Sequence, residues 1–267
     1  MKTTLILDGD IIAYTSAASC EITADFECCG GLCCESYPDL LEDKIKSTIL
    51  EWVSPIKQFD KILIALTDKE KPNWRKDIYP EYKANRANKT AFNRYKEFAS
   101  LEDEQDSMRR QFGRVIQYLN CLPITTLSID NVEADDIMAY IANEIYTDQK
   151  NRVTICSTDR DFLQLVNDRI SVWSPIKKKM YTPSVMKEEF GFNSTNYLIY
   201  RSFIGDKSDN IPGLKGVGPK SLVKYFPVFT EDREITIDEL VEYANDVDKK
   251  YKVHTLVSEN KELLELN

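Results

Sequence analysis

Three short apolar runs in this chain stop at the same kind of residue. Thr3–Leu7 runs into Asp8, Lys61–Leu66 into Thr67 and Asp68, and Val153–Ser157 into Thr158, Asp159, Arg160 and Asp161. A fourth run, Ile170–Trp173, ends without a carboxylate. The first three are apolar almost throughout rather than alternating, as in strands covered on both faces of a parallel sheet. Helical stretches at 39–57, 105–119 and 133–147 lie between the runs. The alternation predicts an α/β fold, a mostly parallel sheet flanked by helices. Ligands of such sheets bind beyond the carboxyl ends of the strands, where all three aspartates fall. One aspartate after a strand commonly caps a turn; three in equivalent places argue for a shared acidic centre.

From about residue 184 helical periodicity takes over, with helices predicted at 184–190, 194–204, 219–226 and 236–246. Glycine concentrates there at Gly205, Gly213, Gly216 and Gly218. The expected organisation is an α/β body over 1–183 and a smaller helical subdomain over 184–267.

The chain has a single histidine, His254, away from every acidic cluster. Ser-His-Asp hydrolases, Cys-His proteases and histidine-liganded zinc enzymes are thereby disfavoured, and any catalysis falls to carboxylates and lysines. No apolar run reaches the ~18 residues of a membrane span, and Asp8 and Asp10 interrupt the first run before a signal-peptide core forms. A cytoplasmic protein without membrane contact is expected. Five of the seven cysteines, Cys20, Cys28, Cys29, Cys33 and Cys34, fall within 15 residues. Their pairing around Gly30 and Gly31 is not the usual C-x2-C zinc spacing, so a reduced, loop-borne cluster is expected.

The net charge is −9 and the isoelectric point about 4.9, which taken alone argues against a polyanionic partner. The cations are clustered, however. Residues 69–96 carry nine basic and three acidic side chains, and residues 201–224 carry five and two. Two basic patches in an acidic protein suggest an anionic ligand passing close to a concentrated acidic site.

Glu133, Asp135 and Asp136 open one helix within four positions. The helix dipole favours acids there, but three so close repel beyond what capping uses, and a divalent cation would reverse that repulsion. With Asp8, Asp68, Asp159, Asp161, Asp206 and Asp209 they make nine candidate metal-binding carboxylates. All-oxygen sites suit Mg²⁺ or Mn²⁺, and two such ions can drive an in-line phosphoryl displacement without a histidine. After Gly205-Asp206-Lys207-Ser208-Asp209-Asn210 comes Ile211-Pro212-Gly213-Leu214-Lys215-Gly216-Val217-Gly218-Pro219-Lys220. Glycines at 216 and 218 permit a tight hairpin, Pro219 suits a first helical position, and Lys215 and Lys220 add charge to amides that can face a phosphate.

Tyr82-Lys83-Ala84-Asn85-Arg86, Glu133-Ala134-Asp135-Asp136, Thr158-Asp159-Arg160-Asp161-Phe162 and Gly205–Lys220 together resemble the motif series of the 5′-nuclease family. That family includes flap endonucleases, the 5′-nuclease domains of bacterial DNA polymerases and phage 5′→3′ exonucleases. Leu7-Asp8-Gly9-Asp10 and Asn73-Trp74-Arg75-Lys76 resemble the phage branch, and the likeness runs in order over roughly residues 3–226. It implies a PIN-like fold, two divalent metals, a helix–hairpin–helix DNA clamp at about 200–226 and a helical arch or gateway over 69–105. By position, Asp8, Asp68, Glu133, Asp135 and Asp136 match the first metal's set. Asp159, Asp161, Asp206 and Asp209 match the second's. Lys83 and Arg86 match the basic pair at the scissile phosphate, beside Tyr82 in the DNA-binding segment. Gly213, Gly216 and Gly218 match the hairpin, which in relatives often carries K⁺ on backbone carbonyls. The cysteine-rich insert at 20–34 departs from the pattern.

The expectation is a monomeric, Mg²⁺- or Mn²⁺-dependent 5′→3′ exonuclease with flap endonuclease activity as a second mode, acting on DNA 5′ ends, duplexes and flaps, with RNA–DNA hybrids as further candidate substrates. The alternatives are a PIN-type ribonuclease or RNA-primer remover, and a non-catalytic DNA-structure-binding protein on the same fold.

Overall fold

A computed structural model of the 267-residue chain describes residues 2–26, 31–36, 38–67, 73–86, 100–215, 219–242 and 247–266. In chain order the elements are β1 (Lys2–Asp8), α1 (Gly9–Cys20), β2 (Glu21–Phe26), β3 (Gly31–Ser36), α2 (Pro38–Val53), β4 (Lys61–Thr67), α3 (Arg75–Ile78), α4 (Leu101–Leu119) and β5 (Thr125–Ile129). They continue with α5 (Ala134–Tyr140), β6 (Asn151–Cys156), β7 (Ile170–Ser174), β8 (Lys179–Tyr181), α6 (Pro183–Phe190), α7 (Tyr197–Ile204), α8 (Pro219–Tyr225), α9 (Ile237–Glu242) and α10 (Val247–Leu264).

Six strands form one sheet in the order β5-β4-β1-β6-β7-β8. Every neighbouring pair is parallel except β7 with β8. The three aspartate-ended runs are the three central strands. Leu5, Ile6 and Leu7 of β1 are fully buried, as are Ile64 and Ala65 of β4 and Val153 and Ile155 of β6. This two-sided burial is why their sequences do not alternate. The register places Asp8 beside Ala65 and Leu7 beside Cys156. Asp8 therefore stands at the carboxyl edge of the sheet, where the order turns from β4 on one side to β6 on the other.

The sequence reading misses four strands, β2, β3, β5 and β8, and three helices, α1, α3 and α10. β5 is a partly exposed edge strand and β8 has three residues, so neither carries a long apolar run. The expected cysteine loop is an antiparallel hairpin of β2 and β3, with Cys33 and Cys34 on β3 paired to Ala24 and Thr23; Cys28 and Cys29 lie outside the described residues. Cys20 is buried at the end of α1, 3.4 Å from the Leu40 carbonyl. The longest of the unforeseen helices, α10, buries Val253, Val257, Asn260, Leu263 and Leu264. Their spacing keeps them along one side of the helix.

The helices after residue 184 do not form a separate core. One cluster of buried side chains runs from Ile6 and Leu63 through Phe162 to Phe203, Phe229 and Val257. Of the expected arch, 69–105, residues 69–72 and 87–99 lie outside the described residues. Among those described, no helix is long and apolar enough to cross a membrane.

Candidate active site

The carboxyl ends of β1, β4 and β6 meet the start of α5. Gly9 makes the closest approach possible: a Cβ there would collide with the Ala65 carbonyl and lie 2.6 Å from Ile64 Cγ2. Thr67, at the end of β4, joins the pieces. Its N–H donates to Asp10 at 3.1 Å, and its hydroxyl accepts from the Ala134 amide at 2.9 Å. Thr67 thus performs the capping that Glu133, at the N-cap position, does not. The Glu133 carboxylate is left for other partners, whereas Asp10, which accepts from the Thr67 amide, is part of the frame.

Asp8, Asp135 and Asp159 form the inner part of the site, at increasing distance from the core. Asp8 is buried, Asp135 half-buried and Asp159 exposed at the rim. None has an ion pair among the described residues. Burial pushes Asp8 up to about 7, against bonds from Ser157 Oγ at 2.6 Å and the Ile11 amide at 3.1 Å. Desolvation holds Asp135 well above the usual carboxylate range, and the charges of Asp8 and Asp159 add to it. Asp159 is raised by desolvation and then by Asp209 and Asp206. Three acids raised by desolvation and by neighbouring carboxylates form a place where positive charge is wanted.

The other predicted ligands that the structure describes are paired with cations. Lys83 Nζ lies 2.5 Å from Glu133 and 3.8 Å from Asp209. Arg86 pairs with Asp209 and donates to the Ser208 carbonyl at 3.2 Å. Arg201 Nη2 lies 2.6 Å from both Asp161 and Asp206. Burial raises Asp161 to about 7, with the Asp159 charge next in weight and Arg201 opposing both. Burial also opposes ionisation of Glu133 and Asp206, but Lys83 outweighs it at the first, and Ser208 and Arg201 at the second, so both titrate below the ordinary value.

Asp136 differs most from its expected role. Both its oxygens bond to the Arg75 guanidinium, at 2.6 and 2.7 Å, and both partners are buried. In this structure the carboxylate anchors a buried arginine, which sets it apart from its neighbour Asp135. Tyr82 also changes task. It is 4% exposed, and its hydroxyl lies 3.3 Å from Glu133 and 3.2 Å from Asp209, so it supports the acids and has no surface for DNA. Gly213 is explained by packing, since a Cβ there would meet the Ile204 carbonyl. Lys215 is exposed, whereas Asp68, Gly216, Gly218 and the Lys220 side chain lie outside the described residues, and with them the expected K⁺ position.

Lys83 has φ +56°, a left-handed conformation that a lysine adopts at a cost. Its amide donates to the Asp209 carbonyl at 3.0 Å, which ties the basic segment to the 206–211 loop. Among the described residues no three acids, cysteines or histidines stand at metal-ligand spacing. The donor chemistry nevertheless fits a hard divalent ion: carboxylate oxygens throughout, three of them without a cation. Sequence reasoning counted Arg75 and Arg201 only as members of basic patches and passed over Ser157 and Gln164. The one available signal was Arg75's place in the Asn73–Lys76 motif.

The family model for the 5′-3′ exonuclease N-terminal resolvase-like domain matches residues 44–191. The chain belongs to this family. The thermostable DNA polymerase I of Thermus thermophilus is 30% identical over 61% of the chain, which spans 18% of that relative. A 5′-3′ exonuclease of Aquifex aeolicus is 28% identical over 84% of the chain and 68% of its own length. Among solved structures, the T5 D15 protein co-crystallized with metal ions superposes with a TM-score of 0.73 at 20% identity, covering 99% of this chain and 90% of that one. Human GEN1 matches at 0.51 and 14%, covering 99% and 61%. The mostly parallel six-stranded sheet with its flanking helices is thus the PIN-like, resolvase-like fold.

Proposed function

We propose that the chain is a divalent-metal-dependent 5′→3′ nuclease that hydrolyses DNA phosphodiesters from 5′ ends, with flap cleavage as a second mode, leaving 5′-phosphate products. The observation that carries this reading is the trio Asp8, Asp135 and Asp159, acids without a cation, set beside a lysine held in a strained backbone. Asp8, Asp135 and Glu133 would hold one Mg²⁺ or Mn²⁺, with Asp68 added from the sequence, and Asp159, Asp161, Asp206 and Asp209 a second. The ions would supply water activation and neutralisation of phosphate charge. Arg75, in its bonds to Asp136 and Glu133, keeps Glu133 oriented toward the site. Lys83, half-buried and bonded to Glu133, is placed to exchange that carboxylate for a phosphate oxygen and stabilise charge developing there. Arg86, half exposed, can meet the same phosphate from the solvent side. The name of the Aquifex relative supports the activity. The positive segment at 69–96 and the exposed Lys215 support a nucleic-acid partner.

The test is a panel of blunt, nicked, 5′-flapped and RNA–DNA hybrid substrates labelled at either end, incubated with Mg²⁺. Short 5′-labelled products that vanish on chelation are expected. Tight binding without cleavage under every divalent metal would reject the reading in favour of a binding protein, and cleavage confined to RNA strands would make the chain a ribonuclease.

A further inference from the structure

We propose that Asn260–Leu266 is a brace that positions both halves of the acidic centre, with Arg75 and Gln164 as its positioning residues. What the centre does is taken from the nuclease reading above. Arg75 is 1% exposed, and all five of its N–H donors are used. Three go to the acids, Asp136 at 2.6 and 2.7 Å and Glu133 at 3.2 Å. The other two go to backbone carbonyls at the end of α10, Leu263 at 2.9 Å and Glu265 at 3.0 Å.

Gln164 does the same for the other half. Its Nε2 donates to the Asp161 carbonyl and to the Leu264 carbonyl, both at 2.9 Å, while its Oε1 accepts from the Leu266 amide at 3.1 Å. Three consecutive carbonyls, of Leu263, Leu264 and Glu265, thus reach the Glu133/Asp136 helix on one side and the Asp159/Asp161 turn on the other. The last carbonyls of a helix have no partners within it and carry its negative pole, so a buried guanidinium is well placed against them. The brace also reaches the glycine hairpin. Asn260, 2% exposed, donates to the Ser202 carbonyl at 2.8 Å and the Pro212 carbonyl at 2.7 Å. Leu263 and Leu264 pack with Tyr82 and Ile211. A shift of this segment moves both acid groups and the base of the hairpin together, which couples grip on the duplex to the geometry of the cut.

The experiment uses the full chain with Gln164→Ala and Arg75→Lys. Cleavage at saturating DNA, DNA affinity in Ca²⁺, the Mg²⁺-induced rise in Tm without DNA, and hydrogen exchange at residues 260–266 are all measured well below each variant's Tm. Small displacements of catalytic groups cost up to about 100-fold. Gln164→Ala is expected to cut roughly 10–100-fold more slowly with unchanged DNA affinity, to need more Mg²⁺ for half its Tm rise, and to exchange the Leu266 amide faster. Arg75→Lys keeps the charge but has three donors in place of five, so it does not restore the rate. Folded variants with wild-type rate and wild-type Mg²⁺ response overturn the brace. If Arg75→Lys fails to fold, Gln164→Ala decides alone. If the wild type cuts no 5′-ended DNA, the nuclease reading falls and the Mg²⁺ response still reads the brace: a weakened response in Gln164→Ala upholds it and an equal one overturns it. A wild type with neither cleavage nor Mg²⁺ response overturns both.

Discussion

The acidic centre contains two kinds of carboxylate with the same chemistry and opposite surroundings. Among the described residues Asp8, Asp135 and Asp159 have no ion pair, and they are raised by desolvation and by neighbouring carboxylates. Glu133, Asp136, Asp161, Asp206 and Asp209 are each paired with Lys83, Arg75, Arg86 or Arg201. The first group costs the folded chain stability with no ion pair to offset it; in the second, paired cations offset that cost, although burial still raises Asp161. Burying a charge without a partner is expensive, whereas removing one partner of a buried pair leaves that cost behind. The two groups therefore respond in opposite ways to one kind of substitution, from carboxylate to amide.

The sharpest break is between neighbours on α5. Asp135→Asn is expected to reduce cleavage by at least roughly 10²–10³-fold while raising the Tm of the metal-free protein, because it removes one of three repelling acids. Asp136→Asn is expected to destabilise by about 3–5 kcal/mol, the cost of stranding a buried arginine. Activity and denaturation measurements on the two variants check this directly. A destabilised Asp135→Asn or a stabilised Asp136→Asn would erase the distinction.

A second comparison separates chemistry from grip. Lys83→Ala is expected to lower turnover at saturating DNA by roughly 10²–10³-fold with little loss of affinity. Lys220→Ala is expected to raise Kd and reduce its salt slope by about one. Single-turnover cleavage and Ca²⁺-state binding at several salt concentrations distinguish them. If both lose affinity alone, Lys83 is a binding residue and its place beside Glu133 is incidental.

The smallest effect is the pH dependence of the metal-free protein. Asp8 and Asp161 ionise near 7 in the fold against an ordinary 3.8. Between those values the unfolded chain has lost protons that the native chain keeps, so unfolding becomes easier as pH rises from about 4 to about 7. A loss of a few kcal/mol over that window is expected in chelator, levelling off above it. Mg²⁺ should reverse the slope, because its ligands bind deprotonated. Urea titrations across pH, with and without Mg²⁺, give both slopes, and a flat chelated profile would contradict the cation-poor environment of Asp8.

Much of the frame was legible beforehand because it is local. An apolar run long enough to be buried on both faces, ending in aspartate, marks a central parallel strand whatever the rest of the chain does, and β1, β4 and β6 follow that rule. The carboxylates of the centre were legible for the same reason, since each sits at a strand end, a helix start or a glycine-rich loop. β5 and β8 left little trace, being a half-exposed edge and a three-residue pair, and β2 and β3 were hidden by a composition that suggested a loop.

The residue types at the site, all oxygen donors with lysine and arginine and no histidine, were determined by the sequence alone, because composition limits chemistry directly. Which acid keeps a free charge and which anchors a cation was decided only by the tertiary structure. Asp135 and Asp136 are adjacent in the chain, yet one faces Asp8 and Asp159 and the other faces Arg75, 61 residues away. Arg75 in turn is held by carbonyls 188 and 190 residues along the chain. Electrostatic surroundings depend on separations of a few ångströms, and no spacing along a chain encodes contacts made across such lengths.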